Sequence, residues 1–448
     1  MTTKMSVVTQ PPIVKKRHPK GLPVLFLTEM WERFSFYCML SILSLYMKET
    51  LEGGGLGFSI FKTGQIYGLY TGIVYFTPLF GGMIADRIFG IRKTIIFGGL
   101  FMMTGHFLLA FRPLPFFFSA LVCLVIGNGL FKPNISTILG NLYRNIPEKK
   151  DDGYNIFYMG INLGAFMSPL VSSTLRNLHP IYGWHYAFAA AGVGMIFSLI
   201  IFYSFRKYVA EGEVRFIAPD QKPLKMIELT PRQERSRIKA LLIIFSVVIF
   251  FWMAFHQQGL TLTFWAEKAT RTSWNPEVFQ SVNPLFILIF TPLIVPFWQM
   301  FRNRGKEPKT ATKMGIGMLL TTCAFSIMAV AAFVGGNMGK VNVAWLISAY
   351  AVITVGELCL SPMGLSLVSK LAPPKILGLM MGGWFASTAI GNYCAGLLGS
   401  FWDRLPHSSY FLILVGTSFT AAVLLFYLLR FLNPVIQEVE EMARKAAD

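Results

Sequence analysis

The chain has 448 residues, 54% hydrophobic and 15% aromatic against only 14% charged, with a mean hydropathy of +0.54. So much apolar content excludes an ordinary soluble enzyme and fits a polytopic membrane protein. The net charge of +18 does not make a nucleic-acid binder, because the cations fall between long apolar runs.

In chain order the pattern predicts twelve spans, at about 22–47, 62–85, 93–111, 115–141, 153–175, 185–205, 240–265, 277–300, 313–334, 341–368, 376–402 and 408–431. The predicted fold is an all-α membrane protein of two six-helix bundles, at 22–205 and 240–431. They are joined by a cytosolic linker at 206–239 and flanked by an arm at 1–21 and a tail at 432–448. Pro219, Pro223 and Pro231 mark the linker. The tail after Pro434 reads as an amphipathic surface helix. The Lys132-Pro133 pair, after Gly127-Asn128-Gly129, is expected to loosen span four locally.

With both termini placed in the cytosol, 30 of the 40 Lys and Arg residues fall on the cytosolic side, Arg430 included. The opposite loops hold eight, from Lys48 to Arg404. That bias is the positive-inside rule and sets the expected orientation. The five cysteines lie scattered in apolar segments without metal-ligand spacing, and no cleavable leader is evident before span one.

Span one carries the densest polar signal. Glu29, Glu32, Arg33, Phe36 and Tyr37 share one helical face. Each charge at bilayer depth costs about 2.5–3.5 kcal/mol on insertion scales. Such groups pair with one another and line a transport path; a structural ion pair locking two helices is the alternative. Glu357, inside span ten, is a second buried-charge candidate. Tyr75, Trp384, Asn162 and Asn283 are each open to a plain packing or helix-bridging role.

At Gly81-Gly82-Met83-Ile84-Ala85-Asp86-Arg87-Ile88-Phe89-Gly90-Ile91-Arg92-Lys93 the chain resembles the signature loop of the major facilitator superfamily. Small residues there permit close helix approach, and Asp86 and Arg87 can bridge helix ends. The Glu29–Tyr37 stretch is similar to the E-x-x-E-R-F-x-Y-Y signature of the proton-dependent oligopeptide transporter family. So are Gly127–Asn134, Phe157–Gly164, Gln280–Pro284, Gly356–Leu358 with Ser361-Pro362, and Met381–Phe385.

The resemblance implies a proton-coupled symporter that imports di- and tripeptides by alternating access, driven by the proton gradient without a cofactor. It implies a monomer in the bacterial inner membrane whose partners are peptide, protons and lipid. Glu29, Glu32 and Arg33 would couple proton movement to peptide binding. Arg33 and Lys132 would sit at the peptide carboxylate, and Glu357 at its ammonium. Asn162 and Asn283 would bond the backbone or amino end, Tyr37 and Tyr75 would add hydroxyls, and Trp384 would wall a side-chain pocket. Asp86, Arg87 and Pro133 would serve gating or structure. Chemically, cations in one bundle and a carboxylate in the other would clamp a zwitterion across the cleft.

The chain departs from the family pattern at four places. The linker is too short and polar for the two extra helices of many bacterial relatives. Phe36 replaces a tyrosine, removing a hydroxyl that could influence peptide preference. Gly68 stands where mammalian relatives have a histidine. His256 replaces a usual acid, so Lys132 is expected to turn toward the span-one carboxylates. His256 itself is either a titrating member of the proton path or a neutral histidine hydrogen-bonded in the cleft. No H-E-x-x-H, G-x-S-x-G or phosphate-binding loop supports an enzyme. A sensor would keep the site but add signalling domains. A carrier of nitrate or a peptide-like solute remains the rival, and Glu357 discriminates by repelling nitrate.

Overall fold

A computed structural model describes residues 17–144, 146, 149–213, 230–337, 339–373 and 376–447. In the first half, α1 (Gly21–Lys48) is followed by α2 (Ile60–Phe76) and α3 (Pro78–Ile84), the latter running into a π-turn at Ala85–Phe89. Then come α4 (Ile91–Leu109), α5 (Leu114–Leu142), α6 (Lys150–Arg176), α7 (Gly183–Ser204) and a single turn, α8 (Arg206–Val209). The second half holds α9 (Pro231–Phe255), α10 (Thr261–Ala269), α11 (Val282–Asn303) and α12 (Thr310–Val334). It ends with α13 (Ala344–Leu371), α14 (Leu377–Gly399) and α15 (His407–Ala447). With α2–α3 and α9–α10 each taken as one broken segment, the described residues form twelve long segments. Nine stretches are apolar and long enough to cross a membrane. A two-residue parallel pair, β1 (Thr270–Arg271) with β2 (Val341–Asn342), is a minor addition.

Within the first half α1 packs on α6 and α7, and α4 on α5 and α7; within the second, α12 packs on α13 and α15, and α9 on α14 and α15. The halves meet along α2 and α14, and where α6 meets α11 and the turn before it. The α2–α14 seam is built on glycines. A Cβ on Gly68 would lie 2.7 Å from the Cα of Gly396, and one on Gly64 would lie 2.7 Å from its carbonyl oxygen. Such backbone proximity is available only to small residues.

Polar contacts join the halves at the end where α1 finishes. Lys48 pairs with Glu267 at 2.6 Å, and Arg176 with the fully buried Glu277 at 2.9 Å. Ser44 donates to the carbonyl of Gly259, Gln280 to that of Ser41 and Ser281 to that of Phe166. Asn275 donates to Ser173 and Asn177.

Span four is not loosened at Lys132-Pro133: α5 is continuous. Pro133 lacks the N–H that would reach the Gly129 carbonyl, and that oxygen instead lies against Gly81, where a Cβ would come within 1.8 Å. Asn134 bridges the same place, donating to Leu130 and to Gly81. The tail also differs from expectation. It is not a separate surface helix, because α15 runs through Pro434 and buries Leu432 and Ile436, while Gln233 of α9 donates to Glu438 at 2.6 Å. In the linker, α9 starts at Pro231 behind a Thr230–Gln233 capping box. Before it, Glu213 pairs with Arg92, and the carbonyl of Gly212 accepts from Asn141. Residues 214–229 and the arm up to residue 16 lie outside the described residues.

Candidate functional site

A cavity of about 350 Å³ lies between the two halves. Its lining draws on α1, α2, α5 and α6 from one side and on α9, α11, α13, α14 and the 256–259 turn from the other. Ten sequence-predicted residues line it: Glu29, Arg33, Tyr37, Tyr75, Lys132, Asn162, His256, Asn283, Glu357 and Trp384. Glu32 sits behind this wall, fully buried. Arg87 is exposed and Pro133 is half-buried; neither lines the cavity, and the side chain of Asp86 lies outside the described residues.

The α1 cluster is assembled by a chain of backbone consequences. Pro78 has no N–H for the Val74 carbonyl, and the amide of Asn128 takes that oxygen at 2.9 Å. Its own carbonyl oxygen then accepts from Arg33 at 3.2 Å. Arg33 also binds Glu32 through two N–H···O bonds of 2.5 and 2.6 Å, and its Nε lies 3.4 Å from Glu29. A two-pronged carboxylate–guanidinium pair is the strong form of this interaction. Arg33 is thus matched within the protein, whereas Oε2 of Glu29 is buried without a hydrogen-bond partner among the described residues. Phe36 is 1% exposed and lies 5.0 Å beneath the Arg33 guanidinium.

Lys132 forms no close ion pair with the α1 carboxylates. Its ammonium lies over the Tyr75 ring, 4.6 Å from the centroid, with no carboxylate within 4 Å among the described residues. Glu32 is held by Arg33, and the Tyr75 face lies closest to the ammonium, an arrangement that a cation–π contact favours. Tyr75 in turn lies 5.9 Å from His256, which stacks on Trp252 at 5.5 Å. The 3-10 turn at His256–Gly259 breaks span seven and brings this imidazole to the wall. Its Nε2 is buried and, among the described residues, bonds to no protein group.

Across the cavity, Glu357 accepts from Asn283 at 2.9 Å, and the same amide donates to Thr354 at 3.0 Å. No cation of the described residues lies within 4 Å of Glu357. Asn162 donates to the carbonyl of Tyr158 in its own helix at 2.9 Å. Trp384 is 2% exposed and packs the outer edge of its ring against Gly364, where a Cβ would collide with it. The cavity therefore has an unmatched ammonium on one side, an unmatched carboxylate on the other, and aromatic walls between them.

Sequence reasoning missed Tyr158, Gln258 and Gln280 as lining residues. Tyr158 is one helical turn before Asn162 and Gln280 three residues before Asn283, so their spacing carried the signal.

Comparison with known proteins bears on this geometry directly. A POT-family model, PTR2, matches residues 92–226 and 215–413. The chain belongs to the POT family. Membership makes it a transporter rather than an enzyme, with the fold of the major facilitator superfamily. This POT-family chain is 33% identical to YclF of Bacillus subtilis, an uncharacterised transporter, over 94% of both chains. It is 33% identical to the peptide transporter YePEPT of Yersinia enterocolitica, over 85% of this chain and 88% of that one. A di-/tripeptide transporter of Lactococcus lactis is 31% identical over 82% and 86%. Among solved structures, a variant of a POT peptide transporter in complex with alafosfalin superposes with a TM-score of 0.85 at 32% identity, over 94% of this chain and 96% of that one. A POT-family transporter in complex with 5-aminolevulinic acid gives 0.84 at 29% identity, over 93% and 97%.

Proposed function

We propose that this chain is a proton-coupled symporter that imports di- and tripeptides by alternating access. The observation that carries the reading is the pair of unmatched charges, Lys132 and Glu357, on opposite halves of one cavity. A peptide carboxylate suits the first and a peptide ammonium the second, so binding draws the halves together. Asn283 holds Glu357 in place, and Tyr37, Tyr75 and Asn162 offer polar contacts between the poles. Trp384 backs an apolar pocket, and Glu29, Glu32, Arg33 and His256 handle the proton. The names of the Yersinia and Lactococcus relatives support the substrate class.

In this reading the chain is a monomer in the bacterial inner membrane, with both termini cytosolic and the proton gradient in place of any cofactor. Residues 22–205 and 240–431 are the two moving bundles, and the polar contacts from Lys48 to Glu277 form the closed external gate. The cavity then opens toward the cytosol. A second reading, a non-peptide solute bearing both an ammonium and a carboxylate, is favoured by the relative bound to 5-aminolevulinic acid. Uptake into sealed proteoliposomes under an imposed pH gradient tests both. Labelled dialanine is expected to accumulate and 5-aminolevulinic acid to compete. Dialanine uptake indifferent to the gradient overturns the coupling, and transport of nitrate alone overturns the substrate class.

A further inference from the structure

The first turns of α9 carry a feature that transport of a zwitterion does not use. Arg232, Arg235 and Lys239, with Pro231 and Ser236, line a concavity of about 420 Å³ well away from the central cavity. All three cations are exposed, and none has an ion pair within 4 Å among the described residues. Their spacing puts them on one helical face. The nearby acids look elsewhere: Glu438 accepts from Gln233, and Glu234 stands three residues from Arg237 on another face. The capping box at Thr230 and Gln233 fixes the helix end, so the face is held in one geometry.

The same stripe continues upward. Leu242, Ser246 and Phe250 follow Lys239 at helical spacing and are exposed as well, Leu242 by 52% and Phe250 by 40%. The charges stop at Lys239, where the apolar run begins. At about 1.5 Å per residue, Arg232 lies roughly 10 Å beyond Lys239. The segment Pro231–Ala269 has 39 residues, more than a hydrocarbon core of about 30 Å can hold. Some of its turns must therefore stand outside the core, and the cations suit the Pro231 end to headgroup depth, with exposed Leu242 and Phe250 on the apolar stretch beyond.

We propose that this stripe is a binding site for one anionic phospholipid of the phosphatidylglycerol class. The two guanidiniums and the ammonium hold its phosphate, the Ser236 hydroxyl adds a donor, and an acyl chain lies along Leu242 and Phe250. Arginine forks suit phosphate oxygens, and each cation near an anionic bilayer surface adds to the attraction. The apolar continuation selects a lipid over a free anion, which would gain nothing from it. The inference holds whichever way round the chain lies in the membrane.

The test uses the purified full-length protein and native mass spectrometry, with phosphatidylglycerol, phosphatidylcholine and glycerol 3-phosphate as probes. Wild type is expected to retain one phosphatidylglycerol about tenfold more tightly than phosphatidylcholine. The R232Q/R235Q/K239Q variant loses that preference, whereas R304Q/K306Q/K309Q, which removes three exposed cations elsewhere, keeps it. Glycerol 3-phosphate is expected to leave the bound lipid in place. The proposal is overturned if the α9 variant retains the lipid, if both variants lose it equally, or if glycerol 3-phosphate displaces it. An unchanged melting temperature for both variants is the check that the fold is intact.

Discussion

The Lys132 ammonium rests 4.6 Å from the centroid of the Tyr75 ring, and the same ring lies 5.9 Å from the His256 imidazole. Tyr75 is thus the support that holds the unmatched cation of the cavity in place. Cation–π contacts contribute about 0.5–2 kcal/mol, a factor of roughly 2 to 30 in affinity. Tyr75→Leu is expected to raise the KM for dialanine within that range, and Tyr75→Phe, which keeps the aromatic face, by much less. Lys132→Ala should weaken peptides with a free carboxylate more than amidated ones. Competition assays against labelled dialanine decide both, and equal weakening of the two peptide forms would reassign Lys132 to structure.

Glu32 binds Arg33 with both oxygens and lies behind the cavity wall. Proton coupling through this pair makes Glu32→Gln lose gradient-driven uptake while retaining peptide exchange, since exchange needs no net proton movement. Parallel loss of both activities would mean that the pair serves folding. That outcome is a real one, because breaking a buried pair costs about 3–5 kcal/mol.

His256 borders the cavity with a buried Nε2 that bonds to no group among the described residues. The uptake–pH profile of His256→Gln is expected to lose or shift one limb. A profile of unchanged shape would leave His256 as a stacking residue between Tyr75 and Trp252.

The α2–α14 seam closes only because Gly68 and Gly396 carry no side chains. Gly68→Ala should wedge the two helices apart and cut uptake by about tenfold or more. Gly416→Ala, whose new methyl would meet nothing within 4 Å, should leave uptake unchanged. Labelling of an introduced external cysteine in the seam would report the opening directly, and equal uptake by both variants would sink the idea.

Between α11 and α12, Glu307 accepts from Arg302 at 2.6 and 3.0 Å and from Lys313 at 2.5 Å. The Arg302 hydrogen bonds foremost, then those of Lys313, hold its carboxyl below the usual 4.5, at about 2. A carboxyl lowered on folding stabilises the folded state fully above pH 4.5, and that contribution fades as pH falls toward 2. Thermal melts of wild type should lose a small increment across that window which Glu307→Gln lacks at every pH. Superimposable wild-type and variant curves would refute it.

Much of this was legible in the sequence because membrane burial makes charges rare and informative. Glu29, Arg33, Lys132 and Glu357 were conspicuous for that reason, and the cavity collects all four. Partner choice was not legible. Lys132 lies over the Tyr75 ring, a contact that exists only once α2 and α5 meet. Nor could sequence show that Pro133 would leave α5 intact, since its repair comes from Asn134 and from the close approach of Gly81. The tail was misjudged because its apolar stripe fits a lipid surface and the side of α9 equally well.

The Glu32–Arg33 bond joins neighbours on one helix rather than two helices. The leading segment of this transporter therefore brings its own counter-ion and needs no later segment to neutralise it. During synthesis α1 can leave the insertion machinery before α5 is made, with two of its four charges already cancelled. Asn128 and Lys132, on a segment made some 95 residues later, are then left to tune a pair that has formed without them.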